Sequence, residues 1–377
     1  MTIVTIHRMP TLLVRVTGLA FFSFLFVASA SFGETGADQQ PMKGPHSLIP
    51  NPDFREGNDL PTGWKSSSEP ARWLDRDILE IEGRGQGSSY WFTNVVLKPG
   101  VPYLFRMVAR NVGASGGCVT TGPAPVNHDY QLSEVWNEYS HVFRMPDGLT
   151  QSIPLRLGQW ELSGRVQFDK VELVPVLPIH TRVGNCVLGD GETIQNGIYS
   201  FEGTFDGPGT NYHRVLERAT AGFNTNRWVF STDQEVVYRF QLPETEFLSG
   251  KLMFDVNYAT GGAILAEVSR DGQSWIEATR QDGVGAQNAG LPSQLFPTSV
   301  IYVRLRKIGQ PASLQVDRIE FHGKISRPLP DVRGATTYAV WYSAMNDASD
   351  LPLGVDLDRP TGARPRGLRF YATRSSS

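Results

Sequence analysis

The chemistry that this sequence favours is recognition, carried by aromatic rings that lie beside hydrogen-bonding side chains. An aromatic ring offers a flat apolar surface, and neighbouring polar groups can bind the edge of a ligand. The candidate rings are Trp73, Tyr90, Trp91, Tyr130 and Trp160. A second concentration lies in "FDGPGTNYHRVLERATAGFNTNRWVF", residues 205–230, where we expect Asn211, His213 and Arg227 to contribute.

Each of these residues also has a structural explanation. Tyr90 and Trp91 are neighbours on an expected strand, so one faces the interior and the other faces out. Trp160, in "LGQWELSG", is the ring that we place most readily at a ligand face, with core packing as the alternative. Asn127 and Asp129 fall in a stretch that resembles a solvated loop. Long irregular segments such as 205–230 often carry function, but this one could also be packed by its own side chains.

Catalytic motifs are missing from the sequence. It contains no Gly-x-Ser-x-Gly, no His-Glu-x-x-His and no phosphate-binding glycine-rich loop. We therefore predict that the protein is not an enzyme. The enzyme alternative requires a pocket in which Glu202, Asp206, His213 or Glu217 converge. Cys118 and Cys186 are the only cysteines, and they fit either two buried thiols or a disulfide of an exported protein.

The elements that must position these residues are short strands. Segments such as "ILEIEG", "PYLFRMVARNV" and "RVQFDKVELVPV" alternate apolar and polar residues and are separated by Gly, Pro and Asn turns. Period-two patterning at this spacing is typical of a β-sandwich. The pattern restarts after residue 177, with "EVSRDGQSWIEA" as its clearest hairpin. We expect one sandwich over residues 47–177, a second over 183–325, and an irregular Pro/Arg-rich tail over 326–377.

The N-terminus resembles an export signal. Arg8 and Arg15 precede an apolar run, and Ala28-Ser29-Ala30 forms a small-x-small cleavage site. We predict a signal peptide over residues 1–30, with an uncleaved anchor as the alternative, and a flexible linker over 31–46. Beyond the leader no segment is apolar enough to span a membrane. The net charge of −3 argues against nucleic acid as a partner.

Four motifs of the first half resemble the CenC-type carbohydrate-binding modules and, more broadly, the galactose-binding-like jelly rolls. They are "LIPNPDFREGNDLPTGW", "LKPGVPYLFRMVAR", "WNEYSHVFRMP" and "GRVQFDKVELVPV", in the order that the family has them over residues 48–176. The second half, with "EVSRDGQSW" and "LQVDRIEF", is more loosely similar to discoidin-like sandwich modules. The resemblance implies an all-β chain of two consecutive jelly-roll β-sandwich domains.

The resemblance also implies a ligand class and a metal. Such modules bind glycans and often hold a structural calcium near the opening Phe and the closing-strand Asp. No cofactor is certain here, but Asp53, Glu56 and Asp169 are the candidate calcium ligands, with Arg55 standing where the family often has Glu. A hard cation needs six or more oxygens, and three candidates are too few by themselves.

Taken together, the sequence predicts an exported, non-catalytic protein of the cell envelope or the medium that binds a glycan or another cell-surface polymer through its first domain. The alternative is a structural or adhesive envelope protein, in which the sandwiches act as spacers or bind protein. An exposed apolar patch would favour the second interpretation, and an aromatic-lined groove would favour the first.

Overall fold

The computed structural model describes residues 47–67, 70–149, 151–203, 205 and 210–340. The predicted signal peptide, the linker and residues 341–377 of the tail lie outside these ranges. The described chain is all-β, as the strand patterning predicted, and its one helical element is the 3₁₀ turn Ser293–Leu295. None of its helices is long and apolar enough to cross a membrane.

The strands follow in chain order. They are β1 (Lys65–Ser66), β2 (Ala71–Leu74), β3 (Ile78–Arg84), β4 (Ser88–Val95), β5 (Pro102–Ser115), β6 (Cys118–Pro123), β7 (Val126–Tyr130), β8 (Asn137–Arg144), β9 (Ile153–Trp160), β10 (Ser163–Val183), β11 (Cys186–Leu188), β12 (Glu192–Gln195), β13 (Ile198–Gly203), β14 (Leu216–Ala219), β15 (Gly222–Asn224), β16 (Arg227–Phe230), β17 (Glu235–Gln241), β18 (Phe247–Ala259), β19 (Ala263–Ser269), β20 (Ile276–Asp282), β21 (Gly285–Gly290), β22 (Val300–Ile308), β23 (Leu314–Ile325), β24 (Val332–Arg333) and β25 (Thr336–Val340).

The first domain has jelly-roll strand order. Eight consecutive strands, β3 to β10, are divided between two sheets, one ordered β3-β10-β5-β8 and the other β4-β9-β6-β7. This is the nested pairing of two Greek keys that defines a jelly roll. The inward residues of both sheets form one core, in which Phe105, Leu157 and Phe168 are completely buried.

The opening loop closes one end of this core. Phe54 and Trp64 are buried and pack edge to face, with ring centroids 5.2 Å apart. The Asn51 side chain holds the loop between them, because it donates to the Glu56 carbonyl oxygen at 2.8 Å and accepts from the Glu56 N–H at 3.0 Å. The two aromatics therefore hold both ends of the loop.

The second domain repeats the same order. One sheet runs β14-β17-β22-β19-β20. In the other sheet, β23 pairs with β13 and β16 along one edge and with β18 along the opposite edge, and β21 then pairs with β18. The eight strands are thus divided between the sheets as in the first domain, with the first of them split into β13 and β16. The prediction of two consecutive jelly-roll sandwiches is confirmed.

The two domains share a sheet. β7 of the first domain pairs in parallel with β15 of the second, with Val126 opposite Phe223 and Asn127 opposite Asn224. This pairing joins β4-β9-β6-β7 of the first domain to the second-domain sheet that contains β16 and β23, and together they form one sheet of thirteen strands. The outward residues of both domains therefore lie on one continuous face.

The strand β10 also extends past the first sandwich. It pairs with β11 near Val183 and with β25 over Val176–His180. β24 and β25 fall within the segment 326–340, which the sequence assigned to an irregular tail. The segment "TTYAV" pairs here because the extended end of β10 leaves an unpaired backbone edge.

Candidate functional site

A groove of about 380 Å³ lies on the shared face at the junction of the domains. We call it the junction groove. Its lining residues are Ser88, Tyr90, Thr120, Asn127, Asp129, Arg156, Gln159, Trp160, Asn224 and Arg227. Those numbered up to 160 belong to β4, β6, β7 and β9, and Asn224 and Arg227 belong to β15 and β16.

Strand alternation aims most of these side chains outward; Gln159, which alternates with Arg156 and Trp160 in β9, is buried. In β9, Leu155 and Leu157 are buried in the core, so Arg156 and Trp160 project from the opposite face. Gly158 lies between them and opposite Tyr90 of β4. A Cβ at Gly158 would stand 2.4 Å from the Tyr90 Cβ, so the bare glycine makes room for the tyrosine on this face.

The aromatic part of the groove is Trp160 and Tyr90. Trp160 is 51% exposed although it lies on a strand inside the sheet. The residues paired with it on the two adjacent strands are the small residues Ser88 of β4 and Cys118 of β6. The Arg156 guanidinium lies over the Tyr90 ring, 5.5 Å from its centroid. The groove thus combines an exposed indole with a ring that a cation covers.

The polar part is tied together across the domain boundary. The Thr120 hydroxyl donates to Asp129 Oδ1 at 2.7 Å. The Asp129 N–H donates to the Thr225 hydroxyl at 3.0 Å, and this hydroxyl donates to Asn224 Oδ1 at 2.7 Å. These bonds fix the registry of β7 on β15, so the groove is formed only when both domains are in place.

Three of the predicted ligand residues lie in the junction groove: Tyr90, Trp160 and Arg227. Trp91 is the inward partner of Tyr90; it is buried and donates its indole N–H to the Glu80 carbonyl oxygen at 3.0 Å. Trp73 lies on β2, in the other sheet of the first sandwich. Strand alternation and sheet membership separate these two rings from the groove.

The remaining predicted ligand residues have structural roles. Tyr130 faces the interior, where its hydroxyl is 2.7 Å from His141 Nδ1. Asn211 is 1% exposed and binds the backbone of Arg144. His213 is buried, and its ring packs against Phe201. The polar atoms or rings of these three residues are used inside the protein, and their part in ligand binding stays a prediction.

The residues that sequence reasoning missed or undervalued are Arg156, Asn127 and Asp129. Asn127 and Asp129, which resembled a loop, lie on β7. Arg156 stands four residues before Trp160 on β9, so the alternating pattern of "PLRLGQW" already placed both on one face. Desolvation, the largest cause, lowers the pKa of Arg156 from its usual value, with partial compensation from Tyr90 and Asp129.

The predicted calcium ligands are not gathered into one site. Arg55 lies 4.0 Å from Asp53 and 3.9 Å from Asp77, so a side-chain cation is already beside these carboxylates. No group of three or more Asp, Glu, His or Cys side chains suited to a metal occurs among the described residues. Asp53, Glu56 and Asp169 are therefore not brought together in the described chain, and calcium binding stays a prediction.

A second cavity of about 640 Å³ lies in the second domain. Glu202 and His213, two residues of the enzyme alternative, line it. Asp206 falls outside the described residues, and Glu217 is not part of the described lining.

Cys118 and Cys186 are both free thiols; burial raises the pKa of each.

Comparisons with known proteins leave the family open. No family model matches the sequence, and no curated protein matches it. Among solved structures, the chain is similar to the N-terminal CBM22-1–CBM22-2 tandem domain of Paenibacillus barcinonensis Xyn10C, at 13% identity and a TM-score of 0.30, over 74% of this chain and 98% of that one.

Two further structures are similar over single domains. A CBM4 structure matches at 16% identity and a TM-score of 0.28, over 34% of this chain and 99% of its own. A family 29 carbohydrate-binding module matches at 12% identity and a TM-score of 0.21, over 39% and 90%. At these TM-scores the likeness carries no argument, and the jelly-roll assignment rests on the strand order. The CenC-type and discoidin-like resemblances stay predictions.

Proposed function

We propose that this chain is an exported carbohydrate-binding protein and that the junction groove is its glycan site. The observation that carries the proposal is the exposed indole of Trp160 on the same face as Asn127, Asp129 and Arg156. The sequence of the leader, with its apolar run before Ala28-Ser29-Ala30, supports export.

The groove has the chemistry that a sugar needs. The C–H face of a pyranose packs on an aromatic ring, while hydroxyls at the ring edge exchange hydrogen bonds with amides and charged groups. Trp160 supplies the apolar surface, and the Asn127 amide, the Asp129 carboxylate and the Arg227 guanidinium surround it. The volume of about 380 Å³ lies within the range of small-ligand sites.

The groove does not have the chemistry of a glycosidase. Glycoside hydrolysis generally requires two carboxyl groups on either side of the scissile bond. Among the described residues that line the groove, Asp129 is the one carboxylate, and Thr120 already donates to it. A non-catalytic role is therefore part of the proposal.

The test is a glycan array followed by affinity electrophoresis in polysaccharide gels, with the mature two-domain chain. Trp160→Ala should weaken binding at least about tenfold, because an exposed aromatic in a binding site acts as an anchor. Tyr258→Ala is the matched control, since Tyr258 is 46% exposed and lies on β18, outside the groove. Folded protein that retains no glycan on the array would refute the proposal, as would equal effects of the two variants.

A further inference from the structure

The junction groove contains two arginines that lack acidic partners. Arg156 and Arg227 are both half-buried. Arg156 donates to the Ala124 carbonyl oxygen at 3.4 Å, and Arg227 donates to Asn226 Oδ1 at 3.0 Å. The Nε atoms of both are buried and meet no hydrogen-bond acceptor in the described part of the chain.

Several buried or half-buried arginines elsewhere in the described chain are paired with carboxylates, whereas the half-buried Arg110 binds the Gln167 side chain instead. Arg106 is 2.7 Å from Glu172, Arg144 is 2.9 Å from Asp147, and Arg304 is 2.9 Å from Glu267. Neither Arg156 nor Arg227 makes such an ion pair within residues 47–340 as described. The groove is therefore a place where the chain leaves shielded cations without carboxylates.

Shielding a cation without a directly bonded carboxylate is unfavourable, because the charge loses hydration and, for Arg156, the attraction of Asp129 compensates this only in part. Guanidinium groups are also the side chains best suited to carboxylates and similar oxyanions, which they bind through parallel N–H donors. A ligand that brings an anionic group would supply the missing acceptors. Asp129 is the single opposing charge in the described lining, so two cations exceed one anion.

We propose that the junction groove selects an acidic glycan and that Arg156 and Arg227 bind carboxylates of uronic acid residues beside Trp160. This inference rests on the proposed function and adds the ligand class to it. One arginine comes from β9 of the first domain and the other from β16 of the second. Neither domain alone therefore carries the complete recognition site.

A uronate polymer fits the charge of the groove better than a nucleic acid does. Its carboxylates are separated by sugar rings, one of which can lie on Trp160. Binding of a nucleic acid backbone requires many phosphate contacts from a basic surface, whereas this chain has a net charge of −3 and its groove holds Asp129.

The experiment compares matched polymers by isothermal titration calorimetry. Polygalacturonate and its fully methyl-esterified form differ only in the carboxylate, while dextran sulfate and dextran distinguish a sulfate ligand from a carboxylate. Arg156→Gln and Arg227→Gln should each weaken binding of polygalacturonate at least about tenfold, since hydrogen bonds to charged groups are the strong ones. Rising ionic strength should weaken binding as well.

The control variant is Arg280→Gln, which removes the same charge from an exposed ion pair with Asp282 on β20. It should leave binding unchanged. Two results would overturn the acidic-glycan inference and keep the proposed function. One is equal affinity for the esterified polymer and for polygalacturonate. The other is binding of neutral glycans that Trp160→Ala abolishes and the arginine variants leave intact. Single-stranded DNA is titrated as a further polyanion. Tighter binding of dextran sulfate or of this DNA than of polygalacturonate would overturn the uronate assignment. If the unmodified protein binds no glycan, both the acidic-glycan inference and the proposed function are overturned.

Discussion

The Asn211 side chain of the second domain is hydrogen-bonded at both ends to the backbone of Arg144 in the first. Its Nδ2 donates to the Arg144 carbonyl oxygen at 2.8 Å, and its Oδ1 accepts from the Arg144 N–H at 2.7 Å. Arg144 ends β8, and its own guanidinium pairs with Asp147 at 2.9 Å. The Asp147 carboxylate accepts the Ala219 N–H at 2.8 Å. The two sandwiches are therefore joined by buried polar contacts as well as by the shared sheet.

Asn211→Ala should destabilise the protein by about 2–3 kcal/mol, because it leaves a buried N–H and a buried carbonyl without partners. Chemical denaturation followed by tryptophan fluorescence measures the loss. Asn288→Ala is the control, since Asn288 is exposed on β21, and it should change the free energy of unfolding by less than about 0.5 kcal/mol. Equal stabilities of the two variants would contradict a structural role for Asn211.

Stability should fall with acidity because of two stacked histidines in the first core. His128 and His141 are buried with ring centroids 4.9 Å apart. Desolvation is the main cause that lowers the pKa of His128 to about 4, with Asp129 opposing it, and it lowers the pKa of His141 well below its usual value, with His128 adding to the effect. Both are neutral in the folded protein near neutral pH.

The sign follows from proton uptake. Below pH 6.5 the unfolded chain protonates its histidines while the folded protein does not. Stability present above pH 6.5 is therefore lost as the pH falls toward 4, by about 3 kcal/mol for His128 alone. Denaturation curves between pH 7.5 and 4 should show this decline. His128→Phe, which keeps a ring but cannot titrate, should flatten it. An unchanged slope in His128→Phe would count against this origin.

The buried pair of Glu192 and Arg214 gives a third prediction. Glu192 is fully buried and accepts from Arg214 at 2.5 and 2.7 Å, from the Tyr199 hydroxyl at 2.8 Å and from the Gly189 N–H at 2.6 Å. Glu192→Gln removes the charge that compensates the guanidinium and places an amide donor among donors. The expected cost is about 3–5 kcal/mol.

The matched control for Glu192→Gln is Asp282→Asn, because Asp282 pairs with Arg280 at the surface. Exposed ion pairs contribute little, so the free energy of unfolding should change by less than about 1 kcal/mol. Thermal denaturation of both variants beside the unmodified protein measures the difference. A cost for Glu192→Gln no larger than that of the control would show that the buried pair is dispensable.

Local patterning made the individual sandwiches predictable. Alternation in "RVQFDKVELVPV" directs Val166 and Phe168 to the core, where both are buried. These features depend on residues that are close in sequence, and period-two burial expresses them directly.

The junction could not be predicted from the sequence. It depends on the parallel pairing of Val126 with Phe223, and no local signal marks two short strands so far apart in the chain. For the same reason Arg227 and Asn211 looked equivalent as polar loop residues. Arg227 faces the groove, whereas Asn211 binds the backbone of Arg144 in the first domain. This difference depends on which surface of the first domain each residue meets.

Gly158→Ala should damage both the sheet and the groove. Its added Cβ would lie 2.4 Å from the Ser89 carbonyl oxygen and 2.4 Å from the Tyr90 Cβ. The backbone of β4 cannot move without disturbing its pairing with β9, so overpacking should cost about 1–3 kcal/mol. Because Tyr90 must shift, glycan affinity should fall in protein that remains folded.

Gly290→Ala separates this effect from the general cost of replacing a strand glycine. Gly290 ends β21, and a Cβ there would meet no atom within 4 Å, so both stability and binding should stay as in the unmodified protein. Denaturation curves and affinity electrophoresis of the two variants measure the contrast. If Gly158→Ala lowers stability but binds glycan normally, the position of Tyr90 is not part of recognition, and Trp160 with the arginines must account for binding alone.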